Sequence, residues 1–107
     1  MVTSSLTFAE ANRAVVRTRR ALQLSPESEA ATVVALERVQ GRCIVLPVSD
    51  DVLSRAGRPF PVEPIRTLGA VHLATLEMVA GAPQLATIIT RDKRIRANAK
   101  ALGYVVA

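Results

Sequence analysis

Tryptophan is absent from this 107-residue chain and aromatic side chains make up only 3% of it, so a core has to be built from Ala, Val, Ile and Leu. There is one cysteine, Cys43. A lone thiol forms no internal disulfide, and beside a single histidine it makes no zinc set. At the edge of the run Cys43-Ile44-Val45-Leu46 it reads as a small buried side chain. No apolar run approaches the roughly 18 residues of a membrane span. The start, Met1-Val2-Thr3-Ser4-Ser5, has neither the basic residues nor the apolar stretch of a signal peptide. The expectation is a cytoplasmic protein with no membrane partner. A Gly-rich phosphate loop, a G-x-S-x-G elbow and a CxxC pair are also missing, which removes three familiar routes to a catalytic assignment.

What the chain has in quantity is apolar residues and positive charge. Half of the residues are hydrophobic, enough for one core, and a single domain over residues 1–107 is expected. The net charge is +5 and the sequence pI is near 10.7. Most of the basic residues are arginine, whose planar fork binds phosphate bidentately, so a polyanion such as nucleic acid is one reading of the charge. Solvated helix faces are the other.

Along the chain, Val2 to Leu6 tolerates a strand end. Thr7-Phe8-Ala9-Glu10 has the form of a capping box and predicts a helix to about Leu22, with Phe8, Ala11, Val15 and Leu22 facing a core and Arg13, Arg17 and Arg20 on another face. Ser25-Pro26-Glu27 starts a second helix, with serine as cap and proline in the first turn, and Gly41 ends it. Cys43 to Val48 is a short strand. Ser49-Asp50-Asp51 opens a brief helix through Ala56, and the proline-rich stretch from Gly57 to Pro64 is a loop. From Ile65 helical spacing returns through Leu68, Val71, Leu76 and Val79 to about Gly81. Leu85 to Ile89 is a buried strand, Lys93 to Leu102 a helix and Tyr104 to Val106 a closing strand. The order is βααβααβαβ, which implies an α/β fold with a mostly parallel sheet.

Two carboxylates stand at helix starts, Glu10 and Asp92. Oxygen ligands in such places suit Mg²⁺, which keeps much of its water shell. Capping is the alternative for both, through the box at Thr7 and as the N-cap of the helix beginning at Lys93. His72 lies among apolar helical residues and reads as structural. Asp50 and Asp51 suit a helix N-terminus. Arg91, Lys93, Arg94 and Arg96 flank Asp92 and either hold a phosphodiester backbone near it or form a solvated face.

Three segments, in order and spacing, resemble the PIN-domain ribonucleases, in particular the VapC-type toxins of toxin–antitoxin pairs. They are Thr3-Ser4-Ser5-Leu6-Thr7-Phe8-Ala9-Glu10, Leu68-Gly69-Ala70-Val71-His72-Leu73-Ala74-Thr75 and Ile89-Thr90-Arg91-Asp92-Lys93-Arg94. Ala99-Lys100-Ala101-Leu102-Gly103 matches the family's closing A-x-x-L-G. The resemblance implies a three-layer α/β/α PIN-like domain that cuts RNA with Mg²⁺ or Mn²⁺ held by a quartet of acids. It also implies an antitoxin partner and a homodimer. Glu10 and Asp92 then correspond to catalytic and metal-binding acids, Thr90 to the hydroxyl residue beside the second, and Arg91, Lys93 and Arg94 to an RNA-facing edge.

Two departures qualify what the resemblance implies. Its first acid, at the end of an opening strand, has no counterpart here, so the domain reads as N-terminally truncated. Its L-D-A-x-H-L-A aspartate is replaced by Gly69. Two acids of four remain, which predicts weak or absent metal binding and an impaired ribonuclease. The alternative is a degenerate module that binds RNA or an antitoxin without cutting. An unrelated α/β regulatory domain, with the acids acting only as caps, is a third reading.

Overall fold

In the computed structural model, residues 1–79 and 86–107 are described. Their element order reproduces the expected alternation: β1 (Val2–Ser4), α1 (Ser5–Leu22), α2 (Pro26–Gly41), β2 (Ile44–Leu46), α3 (Asp50–Ala56), α4 (Thr67–Val79), β3 (Thr87–Ile88), α5 (Lys93–Ala101) and β4 (Val105–Val106). The fold is mixed α/β, and its strands pair in parallel as two two-stranded sheets, β1 with β2 and β3 with β4. The chain divides into two compact units, Met1–Pro47 and Val48–Ala107.

In the first unit, Val2, Thr3 and Ser4 lie opposite Ile44, Val45 and Leu46. Ser4 is both the last paired residue and the N-cap of α1, its hydroxyl accepting from the Leu6 N–H. The helix therefore starts one turn earlier than the capping-box pattern predicts. Thr7 lies inside it, with its Oγ1 hydrogen-bonded at 2.8 Å to Thr3 Oγ1. Of the expected core stripe, Phe8 is buried, Ala11 and Val15 are half-buried, and Leu22 is exposed. The helix ends at Gln23, which takes the left-handed conformation at φ 50° and donates its backbone N–H to the Arg19 carbonyl. Ser25 caps α2 as expected, accepting from the Ser28 N–H, and Glu29 in the first turn pairs with Arg19 at 3.1 Å. Cys43 is half-buried rather than buried, and it precedes β2 instead of opening it.

In the second unit, Ser49 caps α3 by accepting from the Val52 N–H, with Asp50 and Asp51 in its first turn. Helix α3 packs on α4, and α4 on α5. The buried residues of α4 are Ala70, Val71, Leu73, Ala74 and Thr75. Leu68 and Val79, expected on the core face, are exposed, and the covered side of α4 is the Ala70–Thr75 stretch. Burying Leu73 completely stabilises the unit by about 1.5–3 kcal/mol.

The loop between α3 and α4 is tied down at three points. Arg55 makes a bidentate pair with Glu77, at 2.7 and 3.1 Å, donates to the Arg58 and Pro59 carbonyls, and stacks 3.9 Å from the centroid of the Phe60 ring. Glu63 accepts from the backbone N–H groups of Phe60 and Ile65, both at 2.8 Å. Those two bonds, Phe60's first, hold its carboxyl below the usual glutamate range. Fully buried Asn98 exchanges two 2.8 Å hydrogen bonds with the backbone of Val62, taking its N–H on Oδ1 and giving Nδ2 to its carbonyl.

The expected strand from Leu85 is shorter where it is described. Thr87 and Ile88 pair with Val105 and Val106, and Ile89 is 80% exposed. Leu85 itself, and the expected end of α4 near Gly81, lie outside the described residues. Among those residues no helix is long and apolar enough to cross a membrane.

Candidate functional site

Four residues beyond β3, Asp92 closes the turn into α5. Its Oδ1 accepts from the backbone N–H of Arg94 at 2.8 Å and of Ile95 at 3.0 Å, which makes it the N-cap of that helix. Its own N–H donates to Thr90 Oγ1 at 3.1 Å. Thr90 thus fixes the backbone of the turn, and Asp92 fixes the start of the helix. Both cap bonds fall on Oδ1, so the cap leaves Oδ2 to other work.

Asp92 lines a cleft of about 250 Å³ together with Ile65, Arg66, Gly69 and Arg94. Position 69, which the sequence motif places at a site with Asp92, does share that cleft. Gly69 sits in the first turn of α4, and a Cβ there would meet Ile65 Cγ1 at 3.1 Å and Cδ1 at 3.2 Å. A side chain at this position would enter the cleft against Ile65. Of the basic residues expected around Asp92, Arg94 lines the cleft. Arg91 and Lys93 are exposed and do not line it. Arg96 turns away, donating from Nη1 to the Ala107 carbonyl oxygen at 3.0 Å.

Arg66 is the cleft residue that sequence reasoning missed. The signal was its spacing: it precedes Gly69 by three residues, close to one helical turn, and so stands on the same side of the α4 N-terminus. Asn98 was missed as well. It sits in α5 four residues beyond Arg94 and donates to the Arg94 carbonyl at 3.1 Å, so the buried amide supports the turn that carries Arg94.

Glu10 belongs to the first unit. It is half-buried on α1, past the first turn, which contains no acid. Capping therefore does not account for it, contrary to the expectation from the T-x-x-E pattern. His72 is half-buried on α4. Among the described residues, no group of three or more His, Cys, Asp or Glu side chains is placed to hold a metal ion.

Asp92 lies beyond the C-terminal end of a parallel strand, as ligand-contacting residues do in the class of α/β proteins whose ligands sit beyond the strand ends. Within that class the chain has identifiable relatives. It is 32% identical over 105 residues to "Ribonuclease VapC35" of Mycobacterium tuberculosis, strain CDC 1551 / Oshkosh, across 98% of this chain and 70% of that protein. The same identity and coverage hold for the protein of that name from strain ATCC 25618 / H37Rv. The chain belongs to the VapC-type PIN ribonuclease family. No family model matches it, and no solved structure does.

Proposed function

We propose that this chain acts on RNA as a VapC-type protein of a toxin–antitoxin pair, as one PIN-like domain whose Mg²⁺- or Mn²⁺-dependent endoribonuclease chemistry is impaired. Glu10 and Asp92 are catalytic acids, with Thr90 positioning Asp92 and with Arg91, Lys93 and Arg94 facing the RNA. The observation that carries this reading is that Gly69, where the family motif has aspartate, shares a cleft with Asp92.

The residues present do not fit a divalent cation well. The cleft has one carboxylate, with Oδ1 committed to the α5 cap, and two arginines among its lining residues. Mg²⁺ is held by carboxylates and water, and positive neighbours oppose it. An antitoxin partner, a homodimer and a cytoplasmic location complete the proposal and rest on the family.

The test is incubation of the purified chain with single-stranded RNA in Mn²⁺. Slow cleavage that disappears in both Glu10→Gln and Asp92→Asn supports the impaired enzyme. Complete inactivity at high Mn²⁺ with retained RNA binding supports the second reading, a module that binds RNA or an antitoxin without cutting. That reading is favoured by the two arginines in the cleft.

A further inference from the structure

The long helix of the first unit carries its charge unevenly. Phe8, the buried residue of α1, marks its core side. On the far side Arg13, Arg17 and Arg20 follow one another at i, i+4 and i+7, all three exposed, within an arc of about 60° and over about 10 Å of the helix axis. A solvated helix face gains from opposite charges three or four residues apart, and like charges at that spacing repel. Arg13 with Arg17 and Arg17 with Arg20 are both of the repelling kind, and Glu10 is the one acid in the helix. Arg19, on another side of α1, is held by Glu29 at 3.1 Å, whereas the side chains of Arg13, Arg17 and Arg20 make no ion pair or hydrogen bond among the described residues. Attraction to the helix C-terminus accounts for Arg20 in the last turn, but not for Arg13 or Arg17. A ridge of like charge with no partner of its own gains most from a run of negative charges laid along it.

We propose that Arg13, Arg17 and Arg20 form a track on α1 for the phosphodiester backbone of single-stranded RNA. The need for a polyanion stands on the helix alone, and its identity as RNA rests on the functional reading above. Protein interfaces are anchored by aromatic side chains seated in pockets, and no aromatic side chain stands on this face, whereas binding to a phosphate backbone needs only the charges. Arginine's planar fork matches phosphate oxygens, and the stripe contains no lysine. Glu10 stands three residues before Arg13, close to one helical turn, at the margin of the same face. The track therefore leads away from an acid to which the proposed chemistry is assigned, and its role is to position RNA rather than to react with it.

The full chain in EDTA is titrated with a fluorescent single-stranded oligoribonucleotide at salt from about 50 to 200 mM, and the slope of log affinity against log salt is read. Arg13→Gln, Arg17→Gln and Arg20→Gln should each lower the magnitude of that slope by about 0.7, and the triple variant by about 2, the loss expected for one phosphate contact per arginine. Replacing all three by lysine keeps the charges and should keep the slope, with weaker binding at every salt concentration from loss of the fork. Arg19→Gln, on another side of the same helix, should leave the slope unchanged. A slope that survives in the triple glutamine variant, or that falls equally in Arg19→Gln, overturns the track and leaves the RNA reading standing. A wild-type chain that binds no oligoribonucleotide overturns both. Poly-glutamate that binds through the same three arginines more tightly than the oligoribonucleotide makes the partner an acidic protein and overturns the assignment to RNA.

Discussion

Asp92 caps a helix and is a proposed catalytic acid, and two substitutions at that one position separate the roles. Asp92→Ala removes Oδ1, the acceptor for the Arg94 and Ile95 N–H groups, from the start of a nine-residue helix. Losing a good N-cap costs about 1 kcal/mol, within a range of 0.5–2. Loss of the negative charge at the positive end of the helix adds about 0.3–1 kcal/mol. Asp92→Asn keeps an equivalent cap oxygen and loses only the second contribution. In urea, where a small protein's slope is about 1–3 kcal/mol/M, Asp92→Ala should lower the unfolding midpoint by roughly 0.5–1.5 M. Asp92→Asn should lower it by about a quarter to a half of that. Both should lose whatever Mn²⁺-supported cleavage the wild-type chain has. An Asp92→Ala variant as stable as wild type would refute the cap, and equal destabilisation by both would show that charge, not the hydrogen-bonded cap, holds the turn. Cleavage that persists in Asp92→Asn would remove Asp92 from the chemistry.

Asn98→Ala should destabilise the second unit by about 2–3 kcal/mol in the same urea assay, because it breaks three hydrogen bonds and empties a fully buried site. Gln23→Gly should raise stability by about 0.5–1 kcal/mol by relieving a left-handed conformation at the end of α1. Glu63 has a folded pKa below its unfolded value, so its contribution is present above the ordinary glutamate value of 4.5 and is lost as pH falls through the lowered folded value. Thermal melts of Glu63→Gln against wild type across that acid window should show a shallower decline for the variant.

Much of the fold was legible because local chemistry decides it. Ser25 reads as a cap in the sequence, Asp92 as a cap or a metal ligand, and both are caps in the structure; Ser49-Asp50-Asp51 marks the start of α3, where Ser49 rather than an aspartate takes the cap. Thr7 misled because the start of α1 is set by pairing: β1 ends at Ser4, opposite Leu46, and the helix begins there. The burial of α4 could not be read from spacing, since the helix is apolar on nearly every side and only its neighbours α3 and α5 choose which residues are covered. Ile89 looked buried by composition, yet β4 pairs only as far as Ile88.

The candidate site divides in the same way. Gly69 and Asp92 could be placed together from a motif, because their separation is a property of the fold the family shares. Arg66 could not, as it lies outside the motif and reaches the cleft through one turn of α4. It changes the account, since it shifts the charge of the cleft from near neutral to positive.

The most direct measurement is the Mn²⁺ affinity of the wild-type chain beside Gly69→Asp, taken by calorimetry and paired with RNA cleavage at the same metal concentrations. Mn²⁺ binding should be weak or undetectable in wild type, with tighter binding and faster cleavage in Gly69→Asp. Tight Mn²⁺ binding by the wild-type chain, with no gain from the added carboxylate, would contradict it.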